Sequence, residues 1–67
     1  MNAALLKSKR VAKGLSQIQL AEMVNVSPTT YNQCENGKVP FRMDVAKSLI
    51  KFLELSESDV TEIFFES

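Results

Sequence analysis

Ser16 and Ser27 each open a short helical pattern, and almost nothing separates the first pattern from the second. Ser16 is an N-cap residue, and Gln19 three positions later completes a capping box. Leu20, Ala21 and Val24 then recur on one face at helical spacing. Asn25 can leave the helix in a left-handed conformation, which lets Val26 drop back toward the core. Ser27 caps again, with Pro28 at the first helical position, where its missing N–H costs nothing. Tyr31, Cys34 and Glu35 continue at three- and four-residue spacing until Asn36-Gly37 stops the helix. Two helices joined so tightly must cross steeply, because the link is too short for any other arrangement.

The remaining elements fit around that pair. The pattern predicts a first helix over about 2–13, with Leu5, Leu6 and Ala12 turned inward. Lys38 to Arg42 is irregular, since Pro40 disfavours helix at Val39. A fourth helix covers about 43–54, with Val45, Ala46, Leu49, Ile50 and Leu53 on its inner stripe. The last begins after Ser56, carries acids at its positive end, and turns Val60, Ile63 and Phe64 inward. No segment alternates as a strand does. The expected fold is all-α, with five helices and a single domain over 1–67.

Composition removes whole classes of function. There is no His and only one Cys, so neither an internal disulfide nor a structural zinc quartet can form, and no cofactor is implied. No apolar run approaches a membrane span or a secretory leader, so a cytoplasmic protein is expected. No His, phosphate-cradling Gly-rich loop or evident carboxylate pair is present, so no enzyme is expected, and no small-molecule ligand is evident. Cys34 reads as a small core residue. The net charge is zero, but unevenly spread: residues 1–53 hold all eight basic residues against Glu22, Glu35 and Asp44, a balance of +5. Residues 54–67 hold the five remaining acids, a balance of −5. Such a split suits an asymmetric binding surface.

A steeply crossed, capped helix pair is a helix-turn-helix, here spanning about 16–37, and that geometry points to DNA. The chain resembles the Cro and phage-repressor, or XRE-like, helix-turn-helix proteins. The matching residues are Arg10, Gly14-Leu15-Ser16-Gln17, Leu20-Ala21, Val26-Ser27, Tyr31 and Glu35-Asn36-Gly37, followed by Leu49, Leu53 and Leu55-Ser56. The resemblance implies a compact five-helix lambda-repressor-like DNA-binding domain from a phage or mobile element. It also implies that Arg10 pairs with Glu35, tying the first helix to the end of the third. Three positions depart from the family pattern. Lys9 stands where an apolar residue is common, Tyr31 where a smaller aliphatic is usual, and Cys34 where a bulkier apolar residue is. The Tyr31 hydroxyl therefore needs a partner or an exit to solvent.

Base contacts are expected from Thr29, Thr30, Asn32 and Gln33, the outward positions of the third helix once Tyr31 and Cys34 turn in. Asn and Gln offer a donor and an acceptor, able to read adenine in a bidentate way, and Thr can meet a thymine methyl. Phosphate contacts are expected from Gln17, from Ser27 alongside its capping role, and from Asn36, Lys38 and Arg42. Lys7, Lys9 and Lys13 are expected to act through their field rather than by touch. Phe64 and Phe65 are adjacent and cannot both face one small core, so Phe65, on the segment about 57–65, is the expected homodimer contact. The expected partner is a palindromic double-stranded operator, with no membrane involved. The leading function is a sequence-specific regulator, a repressor of Cro-like simplicity. The competing one is a protein-interaction module of the same fold that docks onto another regulator.

Overall fold

A computed structural model of the protein describes residues 1–65. They form α1 (Ala3–Ala12), α2 (Gln17–Met23), α3 (Pro28–Glu35), α4 (Met43–Phe52) and α5 (Glu57–Val60), and α5 runs on into a π-helical turn at Thr61–Phe65. No strand occurs among the described residues, so the all-α, five-helix architecture is the observed one. Glu66 and Ser67 lie outside the described residues.

Each start is chemically marked. The Asn2 side chain accepts from the Leu5 N–H, and Ser27 accepts from the Thr30 N–H. Ser16 and Ser56 both sit in complete capping boxes, with Gln19 and Asp59 reaching back to the cap N–H. The Asp59 carboxyl is held below its usual range, first by that Ser56 N–H and further by Lys9. The stops share one device. Gly14, Asn25, Gly37 and Glu54 have φ of 72°, 61°, 78° and 52°, and each donates its N–H three residues back. The next residue closes a longer loop, as Val26 N–H does to the Ala21 carbonyl at 3.0 Å. This left-handed closure satisfies carbonyls that a helix end leaves bare.

Two expectations need correction here. The fourth helix ends at Phe52 rather than near Glu54, and Glu54 is itself left-handed. A Glu carries no such conformational preference, so nothing in its chemistry announces a stop. Ala12 is exposed, not inward. The buried positions of α1 are Leu6 and Arg10, four residues apart, and a residue two beyond Arg10 lies on the other side of the helix.

The core is Leu6, Leu20, Ala21, Val24, Tyr31, Val45, Leu49, Leu53 and Ile63, drawn from α1 to α4, the residues that close α2 and α4, and the π-helical turn. Phe41 anchors the α3–α4 loop between two other rings, 6.1 Å from Tyr31 and 5.7 Å edge-on from Phe64. Lys9 reaches Asp59 at 3.2 Å, and Lys13 pairs with Glu54. The acidic end is thus tied back onto α1, and the charge separation along the chain is only partly a separation in space.

Candidate nucleic-acid interface

The pitch of α3 is set by a buried ion pair. Arg10 Nε donates to Glu35 Oε2 at 3.0 Å and Arg10 Nη2 to Glu35 Oε1 at 3.1 Å, while Nη1 holds the Leu15 carbonyl at 2.7 Å. Arg10 is 7% exposed and Glu35 2%. A two-pronged pair so desolvated fixes geometry, because breaking it strands a charge away from water. It joins α1, the turn after α1 and the last residue of α3.

From Glu35 a row of amides runs outward. Gln17 Nε2 donates to Glu35 Oε1 at 3.2 Å, Asn32 Nδ2 donates to Gln17 Oε1 at 3.0 Å, and Asn36 Nδ2 donates to Asn32 Oδ1 at 3.3 Å. Gln17, Asn32 and Asn36 are therefore brought together along the α2–α3 seam. Lys7 lines the same hollow, which sequence reasoning did not anticipate. Its signal is weak: the Lys7 position shares the Arg10 side of α1 only once the buried Arg is known to be the pivot.

Thr29, in the first turn of α3, and Gln33, one turn on, are both exposed, and neither side chain is hydrogen-bonded within the described residues. Thr30 is exposed but leans to the α4 side, where its Oγ1 accepts from the Ser27 hydroxyl at 2.9 Å. Ser27 accepts from the Thr30 N–H with its oxygen and donates its hydrogen to the same residue, so a phosphate contact there would have to displace a bond already made. Lys38 is exposed beyond the end of α3. Arg42 lies 3.4 Å from Asp44, both strongly exposed, a pair that holds neither group tightly. Phe65 is 73% exposed.

Tyr31 is fully buried, and its hydroxyl has no partner of ordinary hydrogen-bond geometry among the described residues. Burial, and after it the neighbouring Glu35 carboxylate, push its ionisation far above the usual phenol range. Glu35 is close enough to act on that hydroxyl but does not meet it in hydrogen-bond geometry, its oxygens accepting from Arg10 and Gln17 instead. Removing an unsatisfied hydroxyl relieves its desolvation. Tyr31→Phe is expected to raise stability by about 1 kcal/mol, read as a higher Tm with DNA affinity unchanged. A lower Tm would show that the hydroxyl is bonded in solution. Burial also pushes the Cys34 thiol up, which makes it a poor nucleophile, and its Sγ lies 3.8 Å from the Pro40 carbonyl.

Among the described residues no group of three metal-binding side chains exists, and no helix is long and apolar enough to cross a membrane. Two successive capped helices with the second set outward define a helix-turn-helix protein. The Helix-turn-helix family model matches residues 6–60, so the chain belongs to that family, the Cro- and XRE-like group, and is a DNA-binding regulator in the general sense. No curated protein and no solved structure matches significantly.

Proposed function

We propose that residues 1–67 act as one helix-turn-helix unit, a sequence-specific regulator of Cro-like simplicity that represses by occupying an operator. In this reading α3 enters the major groove. Gln33 and Thr29 read base edges, with Thr30 and Asn32 on their flanks. Gln17, Asn36, Lys38 and Arg42 meet phosphates on either side. The observation that carries the proposal is the exposed pair Thr29 and Gln33, unengaged within the described residues, on the same helix as Asn32, which lines a hollow with the donors Gln17 and Asn36 and the cation Lys7.

The second part of the proposal is a homodimer on a palindromic site. Met43 and Phe65, 67% and 73% exposed, border an apolar groove that also includes Val39, Ile50 and Phe64 and takes in none of Gln17, Thr29, Asn32, Gln33 and Asn36. A partner chain covering that groove would leave both α3 surfaces free. The competing reading, docking onto a different regulator, would use the same groove, and experiment separates the two. Selection from random duplexes with the purified protein should enrich a two-fold symmetric sequence whose half-sites lie about one helical turn apart. Binding to it should weaken steeply as salt rises. Enrichment of nothing, with binding appearing only when another protein is added, would favour the interaction module.

A further inference from the structure

The amide row assigns Asn32 a different task from its neighbours on α3, an assignment that rests on the DNA reading above. Glu35 is an acceptor only, held from the other side by Arg10. Gln17 must therefore turn its N–H toward the carboxylate, which leaves its oxygen to accept from Asn32. Asn32, with its nitrogen turned to Gln17, presents its oxygen to Asn36. The carboxylate thus sets the sense of all three amides.

A bidentate adenine contact needs one N–H and one oxygen from the same amide. Asn32 is bonded on one side to Gln17 and on the other to Asn36, so the row fixes the plane of its amide, and turning that plane edge-on to a base would break the row at its centre. Gln33 carries no such engagement among the described residues. Each amide nitrogen has two hydrogens and the row uses one, so Gln17, Asn32 and Asn36 each keep a further donor. Lys7, exposed and without an acidic partner among the described residues, lines the same hollow. Donors and a cation, with the one carboxylate already neutralised by Arg10, suit an anion.

We propose that Asn32 is a positioning residue: by bridging Gln17 and Asn36 it holds both amides, beside Lys7, as a row that takes backbone phosphates, and it reads no base. The hollow is the place where one strand's phosphodiester passes the α2–α3 seam. Lys7 touches that strand directly.

Asn32→Ala tests this in two arms. The first measures affinity for the duplex selected by the wild-type chain, for its single-base variants and for a scrambled duplex. The expected result is a roughly three- to ten-fold loss on every duplex, scrambled included, with the pattern of base preference unchanged. Gln17→Ala should also cost less in the Asn32→Ala background than alone. A loss confined to one base position, or no loss, overturns the proposal. The second arm needs no DNA: the side-chain amide resonances of Gln17 and Asn36 should move in Asn32→Ala and stay in place in Gln33→Ala. If they do not move, the row does not exist in solution and the proposal fails. Absence of duplex binding by the wild-type chain overturns the DNA reading itself, and the amide resonances still decide the row.

Discussion

Glu35→Ala is expected to destabilise the protein by about 3–5 kcal/mol, since it leaves the Arg10 guanidinium buried without its partner. A domain of this size has roughly 3–10 kcal/mol in all, so much of the chain should be unfolded at 37 °C. The loss does not mean that the pair itself stabilises the fold by that amount. Replacing both partners by apolar residues removes the desolvation penalty along with the attraction, and such swaps are often neutral. Arg10→Met with Glu35→Leu should therefore recover most of the stability. It should not recover DNA affinity, because Gln17 loses the acceptor that orients its amide and α3 loses its anchor to α1. Thermal melts and duplex titrations on both variants check this. Full affinity in the refolded double variant would refute the role given to the pair.

The second large effect belongs to Gln33→Ala. Its side chain is exposed and unbonded within the described residues, so Tm should be unchanged. Affinity for the selected duplex should drop by about 1–3 kcal/mol, and preference should relax at one base position in each half-site. Binding to scrambled duplex should stay as it was, since phosphate contacts carry that term. The contrast with Asn32→Ala, a uniform loss, is what separates a reader from a positioning residue on the same helix. Repeating the selection with each variant gives the answer position by position.

Much of the fold was legible because its starts and stops are written in single residues. Ser16, Ser27 and Ser56 cap, Pro28 enters at a first turn, and Gly14, Asn25 and Gly37 accept left-handed φ at low cost. Glu54 does the same job without any such preference, so the end of α4 could not be read locally. It is fixed by Leu53 and Leu55 packing on either side of it. Phe41 lies in the irregular segment the sequence predicts, but its place as the ring between Tyr31 and Phe64 is a contact no local pattern encodes. At the interface, sequence identified which residues lie on the outer side of α3 but not how they differ. Thr29, Thr30, Asn32 and Gln33 are equivalent as small polar side chains. They diverge only when Gln17 arrives from α2 to engage Asn32 and Ser27 turns its hydroxyl to Thr30. Lys9 and Lys13 likewise read as part of a cationic field until Asp59 and Glu54 fold back on them.

The central claim is that DNA meets this protein on the outer side of α3 and the seam with α2. Titrating the labelled protein with its selected duplex, and mapping which backbone and side-chain amide resonances shift, tests that without assuming any contact. The account predicts the largest changes at Gln17, Thr29, Gln33, Asn36 and Lys38, with Lys47 and Lys51 on α4 little affected. Changes centred on α4 instead, with Thr29 and Gln33 unmoved, would contradict it.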